Sequence, residues 1–166
     1  MISRGRSHVD AIECRWAPAQ FAPAALTAFR SYYARGANVP VSLDLDMAIA
    51  VDQLQQTESL LAATFHVEHH PHSLNVSEPG SDLRVQIQTD PRYAAFVDRA
   101  APHELLGIRL PVAWIEDVLH GKLWAAGDPA RRPSKRLKDL ADTARLLEVA
   151  PDLQPLVPPE ILAKLI

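Results

Sequence analysis

The clearest pattern in the sequence is a strict alternation of apolar residues with polar or small ones between Val39 and Val51. Apolar side chains occupy every second position from Val41 onward, and a period of two is typical of a half-buried β-strand. The alternation predicts that Asp44 and Asp46 share one face of this strand, about 6–7 Å apart. Two carboxylates in that arrangement can bind Mg²⁺ together with waters and phosphate oxygens. A solvated strand face that carries two acids is the alternative interpretation.

The other periodic segments predict a mixed α/β (α+β) core followed by a helical segment. Alternating or short apolar runs predict further strands at 65–70, 73–77, 83–89 and 105–110. Helical spacing predicts helices at 24–35, 52–63, 90–100, 114–126 and 134–149, and a short last helix opened by Pro158 and Pro159. We therefore expect a poorly structured arm at 1–23, an α/β core at 24–110 and a C-terminal helical segment at 111–166.

The same patterns predict several caps and buried faces. Asp52 and Asp90 are predicted N-caps, because an aspartate side chain accepts free N–H groups of a first helical turn. The helix at 52–63 is predicted to turn Leu54, Leu60 and Leu61 inward. The helix at 134–149 is predicted to bury an apolar stripe formed by Leu137, Leu140, Ala141, Ala144 and Leu147. Trp114 and Trp124 are expected in the core rather than on a surface that stacks bases.

Length and charge indicate an ordinary soluble domain. The chain has 166 residues, of which 48% are hydrophobic, and this is enough to bury a core. Its formal net charge of −3 argues against nonspecific nucleic-acid binding by the whole molecule. Cys14 is the single cysteine, so no intramolecular disulfide is expected and a reducing compartment such as the cytoplasm fits. No apolar run is long enough to span a membrane.

The most informative segment for chemistry runs from Gly121 to Asp142. Lys122 lies on one predicted helix, a basic loop follows, and Asp139 and Asp142 lie three residues apart on the next helix, which places them on nearly one face. A basic helix entrance can hold phosphates through side-chain charge and free backbone N–H groups. The basic residues in question are Arg131, Arg132, Lys135 and Arg136. A solvated, locally paired loop is the alternative interpretation.

These motifs resemble those of a known enzyme family. Ser42-x-Asp44-x-Asp46, Lys122 and Lys138-Asp139-x-x-Asp142 are similar to motifs of minimal nucleotidyltransferases, close to the AbiEii-type toxins of type IV toxin–antitoxin systems. The resemblance implies a nucleotidyltransferase-like mixed sheet and transfer of a nucleotide from an NTP to a hydroxyl on protein or RNA. It also implies a cognate antitoxin as a partner.

The resemblance assigns roles to particular residues. Asp44 and Asp46 would be catalytic and would bind Mg²⁺ or Mn²⁺. Lys122 would contact the nucleotide phosphates, and Asp139 or Asp142 would complete the site. Nucleotide phosphates would also be bound by the serine of the strand motif and by the basic loop, that is by Ser42, Arg131, Arg132, Lys135 and Arg136.

The sequence departs from this family at two places. The glycine turn that precedes the aspartate strand in the family is replaced by Ala22-Pro23-Ala24-Ala25. The third carboxylate of the family sits on a later strand, where this chain has Gln86 or Gln88, and a neutral amide is a poor ligand for Mg²⁺. Asp82 or Asp90 is a possible substitute. The departures favour a second hypothesis, a catalytically degenerate member that serves as a binding or oligomerisation module.

A histidine-rich segment supports a third hypothesis, zinc binding. Alternation places His66, Glu68 and His70 on one face of a predicted strand, with His69 and His72 beside them, and imidazole and carboxylate groups are zinc ligands. Without a second ligand set elsewhere in the sequence, a surface strand with incidental histidines is the preferred interpretation.

Overall fold

One mixed sheet forms the body of the protein. The computed structural model describes residues 27–28, 44–105 and 108–165. The strands are β1 (Thr27–Ala28), β2 (Asp44–Ala48), β3 (His66–His70), β4 (Ser73–Ser77), β5 (Arg84–Gln88), β6 (Ala101–Leu105) and β7 (Ile108–Val112). They follow one another across the sheet in the order β3-β4-β5-β2-β1-β7-β6.

Helices cover the sheet and then form the end of the chain. They are α1 (Leu54–Ala62), α2 (Ala94–Arg99), α3 (Ile115–Gly127), α4 (Pro133–Val149) and α5 (Pro159–Leu162). Short 3-10 turns cover Val51–Gln53, Pro91–Tyr93 and Pro151–Leu156. The predicted mixed α/β class with a C-terminal helical segment is confirmed. Among the described helices, none combines the length and apolar character that crossing a bilayer requires.

β2 is an interior strand of the sheet, and its two faces differ: one contributes to a core and the other carries Asp46. It pairs in parallel with β5, which places Asp46 beside Gln86 and Met47 beside Ile87. Side chains alternate along a strand, so Met47 and Ile87 contribute to a core with Leu61 of α1, and Asp46 and Gln86 belong to the opposite face. Each fully buried aliphatic side chain in that core contributes about 1.5–3 kcal/mol.

A second core holds the helical segment together. Leu119 of α3 is fully buried and Leu146 of α4 is 1% exposed, and both pack with Leu153, Val157 and Ile161 of the C-terminal turns. On α3, Val118, Leu119 and Leu123 face this core. This core fixes α3 against α4, and that contact positions the charged side chains described below.

The prediction of a helix at 24–35 is wrong at Thr27 and Ala28, which form β1. Thr27 pairs with Ala48 of β2, and Ala28 pairs with Val112 of β7. Without β1, backbone donors and acceptors of two central strands would lack partners. Pairing within the sheet therefore makes this segment a strand despite its helical spacing. The rest of that predicted helix, the predicted arm at 1–23 and Ser42 lie outside the described residues.

Two further boundaries differ from the predictions. Asp52 is not an N-cap, because it lies within the 3-10 turn Val51–Gln53 and no side chain caps that turn. The single strand predicted at 105–110 is part of an antiparallel hairpin, in which Glu104 of β6 pairs with Arg109 of β7. The apolar spacing at 105–110 is too short to show that two strands meet there.

The buried face of α4 is rotated from the predicted stripe. Leu137 is 66% exposed and Ala141 is also exposed, whereas the buried residues of the helix are Asp139, Thr143 and Leu146. Hydrophobic periodicity misplaces this face because two of its buried positions are polar. Asp139 obtains its partners from other segments, and Thr143 donates to the Asp139 carbonyl within the helix. Leu60 of α1 is 40% exposed, and Trp114 is 54% exposed with its Nε1 donating to the Arg99 carbonyl at 2.7 Å, so those core predictions are also wrong.

The predicted cap at Asp90 is confirmed and leads to a pH prediction. Asp90 accepts the Arg92 backbone N–H at 2.9 Å, and the hydrogen bond from the Arg92 side chain, opposed by partial burial, lowers the pKa of Asp90. A carboxylate with a lowered pKa in the folded state stabilises the fold above its ordinary pKa of about 3.9, and this stabilisation is lost as pH falls further. Asparagine keeps the cap but removes the charge.

We therefore expect Asp90→Asn to lose about 0.5 kcal/mol at pH 7, after solvent screening of the exposed arginine, and to match the wild type near pH 2. Urea midpoints at both pH values measure this difference. Asp82→Asn, an exposed aspartate in the preceding loop, is the control and should show no such convergence. A constant deficit for Asp90→Asn at all pH values would contradict the charge argument.

Candidate functional site

The candidate site is built around Lys122, a half-buried side chain on α3. Its Nζ lies 2.8 Å from Oδ2 of Asp142 and 3.7 Å from Oδ1 of Asp139, both on α4. The side chain of Asp139 is 4% exposed and that of Asp142 is 19% exposed. The two aspartates share a face because they are three residues apart on one helix. The packing of α3 on α4 thus brings together three residues that the sequence motifs single out.

Two arginines complete the charge network. Arg131, in the loop between α3 and α4, donates from Nε to Oδ2 of Asp139 at 2.7 Å. Arg145, one helical turn beyond, donates from Nη1 to Oδ1 of Asp142 at 3.0 Å. Each buried carboxylate therefore faces two cations, which offsets much of the cost of removing it from water.

Lys122 remains charged in this setting. Burial disfavours the ammonium group, but the hydrogen bond from Lys122 to Asp142 and the charges of Asp142, Asp139 and Asp46 outweigh it and raise the pKa of Lys122. A cation stabilised in this way can bind phosphate oxygens.

A charge on the sheet also acts on the helical segment. Asp46 of β2 is close enough to contribute to the raised pKa of Lys122 and to that of Tyr93. Asp44 is the first residue of β2, two positions before Asp46. The predicted strand for the two aspartates is confirmed, and the side chain of Asp46 interacts with the helix that carries Lys122.

The third-carboxylate position of the site is occupied by an amide. The parallel register places Gln86 directly beside Asp46 and Gln88 beside Ala48. The Nε2 of Gln86 donates to Oγ of Ser73 at 3.1 Å. Asp90, a possible substitute by sequence, is engaged by Arg92 through two side-chain hydrogen bonds.

The structure separates the other basic residues of the loop from this network. Arg132 is the residue before α4 and is exposed, Lys135 is exposed, and Arg136 is half-buried. Among the described residues none of these three makes an ion pair. They surround the entrance of α4 as the sequence predicts, and Arg131 is the member of the set that reaches the buried aspartates.

An aromatic cluster forms the wall beside Lys122, and the sequence patterns do not reveal it. Tyr93 packs edge-on against Phe96 and Trp124 with ring centroids 5.2 and 5.6 Å away. Gly121 makes this packing possible, because a Cβ there would lie 3.3 Å from the Tyr93 ring. Burial raises the pKa of Tyr93, with Asp46 and Lys122 among the nearby charges. Tyr93 is therefore near both the strand aspartate and the helix lysine.

The histidine segment forms β3, an edge strand of the sheet. On β3, Glu68 lies 3.4 Å from Nε2 of His66 and 3.9 Å from Nε2 of His70, and all three are exposed. His69 faces the other side and pairs with Glu58 of α1 at 3.2 Å. Within the described ranges no group of three or more His, Cys, Asp or Glu side chains is arranged to hold a metal ion.

Three solved structures share part of this architecture. An antigenic nucleotidyltransferase-like protein from Paracoccidioides brasiliensis is 14% identical, with a TM-score of 0.44 over 76% of this chain and 67% of the other. The antibiotic-resistance factor ANT(2'')-Ia is 14% identical, with a TM-score of 0.46 over 75% and 74% of the two chains. JHP933 from Helicobacter pylori is 16% identical, with a TM-score of 0.44 over 89% and 70%.

No described protein family matches the chain, and no curated protein sequence matches it either. The roles of individual residues therefore rest on the contacts of this chain.

Proposed function

We propose that the protein is a metal-dependent nucleotidyltransferase of the AbiEii type, which transfers a nucleotide from an NTP to a hydroxyl on RNA or protein. The observation that carries the proposal is the meeting of Lys122 with Asp139 and Asp142, close to Asp46 of the sheet. The motif resemblance requires these separate segments to form one site. A toxin role with a cognate antitoxin, in the cytoplasm, is part of the same proposal.

The oxygen donors of the sheet suit a hard divalent cation. Asp44 and Asp46 would hold Mg²⁺ or Mn²⁺, and the carbonyl oxygen of the Gln86 amide is a compatible additional donor. Such a cation, when bound, polarises the α-phosphate and lowers the pKa of an attacking hydroxyl. The charge of Asp46 contributes to the raised pKa of Lys122, which fits a substrate phosphate bridging the sheet and the helix.

The residues of the helical segment would act on the triphosphate. Lys122 would stabilise negative charge on the phosphates through its ammonium group. Asp139 and Asp142 position that lysine, because their carboxylates fix its Nζ between them. Arg131 would reach the phosphates from the loop, and Arg132, Lys135 and Arg136 would supply further positive charge at the entrance of α4.

A second candidate function is a binding or oligomerisation module without catalysis. Gln86 favours it, because the amide in the third-carboxylate position is tied to Ser73 by a hydrogen bond. The paired state of Lys122 also favours it, since a phosphate would have to compete with two carboxylates for the ammonium group.

The test is a pair of measurements on the wild type and Asp46→Asn. For an enzyme we expect Mn²⁺ to raise the melting temperature and an NTP to raise it further, with about 2.7 kcal/mol gained at one hundred times the Kd of the ligand. Radiolabel from each NTP should pass to RNA or to protein only with the wild type. Asp152→Asn, which changes an exposed aspartate in the C-terminal turns, should behave like the wild type.

The outcomes separate the two candidate functions. Label transfer that survives in Asp46→Asn would refute the assigned site. A response to Mn²⁺ and NTP without any label transfer would favour the binding module. The absence of any metal response would exclude the metal-dependent mechanism.

A further inference from the structure

A cleft of about 640 Å³ opens beside Trp124 of the aromatic cluster. Its lining combines apolar and polar side chains. The apolar ones are Leu123, Trp124, Pro129, Leu156, Pro158 and Ile161, and the polar ones, called the rim below, are His72, Arg92, His120, Asp128 and Glu160. A cleft of this volume that combines apolar side chains with charged and polar ones falls within the size range of small-molecule sites.

The only arginine of the rim is already neutralised by neighbouring acids. Arg92 donates from Nε and Nη2 to Oδ2 of Asp90 at 2.9 and 2.6 Å. The hydrogen bond to Asp90 is the main cause of the raised pKa of Arg92, and the charge of Asp128 also contributes. The guanidinium carbon also lies 5.0 Å from the centroid of the Trp124 ring. Arg92 is thus a fixed part of the wall and is not available as a free anion receptor.

The carboxylates of the rim outnumber its cations. Glu160, in the first turn of α5, makes no ion pair with any described residue. Asp128 caps the following turn by accepting the Ala130 N–H at 2.8 Å. Two carboxylates, Asp128 and Glu160, line the cleft, and the charge of its arginine, Arg92, is balanced by Asp90, which is not part of the lining. Negative charge beside a low-dielectric wall favours a cationic ligand.

We propose that this cleft binds a small organic cation, an amino or guanidino group attached to an apolar body. The apolar body would pack on Leu123, Leu156 and Ile161, and the cationic group would pair with Glu160 and Asp128. Neither Lys122 nor Asp46 is among the described residues that line the cleft. The proposal concerns a second site and holds whether or not the chain transfers nucleotides.

The test uses three probes that share one apolar ring and differ in charge: 2-phenylethylamine, 2-phenylethanol and phenylacetate. Binding to the full chain is followed by NMR through the indole N–H signal of Trp124, identified as the signal lost in Trp124→Phe. We expect the amine to bind about ten-fold more tightly than phenylacetate, because the carboxylates of the rim attract one probe and repel the other. The alcohol should lie between them.

Two variants connect this preference to the rim. Glu160→Gln and Asp128→Asn should each weaken the amine about three-fold and leave the alcohol unchanged, and asparagine preserves the cap made by Asp128. Glu148→Gln, an exposed glutamate on α4 away from the cleft, is the matched control and should change neither. Equal affinities for the three probes, a preference for phenylacetate, or no shift of the Trp124 signal would each overturn the proposal.

Discussion

Asp139→Asn is expected to destabilise the protein by about 3 kcal/mol, because it removes one charge from a buried ion-pair network. The side chain of Asp139 is 4% exposed and faces Arg131 at 2.7 Å and Lys122 at 3.7 Å. Asparagine keeps the shape but leaves both cations without this countercharge. Both cations are partly exposed, so water compensates them in part and the loss should fall at the lower end of the range for buried pairs. Urea unfolding at pH 7 measures the change in the free energy of unfolding.

The neighbouring aspartate is the matched control. Asp142 is 19% exposed, and Lys122 retains Asp139 when Asp142 is changed, so Asp142→Asn should lose only about 1 kcal/mol. The order of the two variants matters more than their absolute values. If Asp142→Asn destabilised the protein more than Asp139→Asn, burial would not be the quantity that controls this network.

Gln86→Glu is expected to tighten Mn²⁺ binding about ten-fold, because it adds a carboxylate beside Asp46 in the parallel register. Without metal the same variant should be less stable than the wild type, since close like charges repel. With saturating Mn²⁺ the variant should become more stable than the wild type. A general change in packing would not reverse the order of the two stabilities in this way. Melting curves with and without Mn²⁺ on the same samples provide the measurement.

Gln88→Glu is the control for this prediction. It adds the same charge to the same strand, but beside Ala48 rather than beside Asp46. It should show a smaller response to Mn²⁺. Equal responses in the two variants would mean that added negative charge alone, and not its place next to Asp46, attracts the metal. A Gln86→Glu variant that shows no gain would argue that the sheet does not bind metal.

The sequence alone determines most of the local structure of this protein. Alternation of apolar residues predicts β2, β3, β4 and β5, because a half-buried strand imposes a period of two on its own residues. Helical spacing predicts α3 and α4 within one or two residues. The aspartate before Pro91 is a cap whose partner lies two residues away, so it too can be predicted from neighbours in the chain. The candidate residues Lys122, Asp139 and Asp142 were also identified at this level, through their spacing and their resemblance to a known motif.

Only the tertiary structure decides which of these elements meet. Thr27 and Ala28 form a strand because β2 and β7 need a strand between them to pair with. The residues around Thr27 and Ala28 in the sequence do not indicate this need. The buried face of α4 carries Asp139 and Thr143. Thr143 satisfies its hydroxyl within the helix, on the Asp139 carbonyl, whereas Asp139 becomes acceptable inside only when Lys122 and Arg131 approach from other segments. Tyr93 approaches Lys122 because Gly121 leaves room for its ring. Periodicity reports the environment of each residue along its own element, whereas ion pairs and aromatic contacts depend on residues far apart in the sequence.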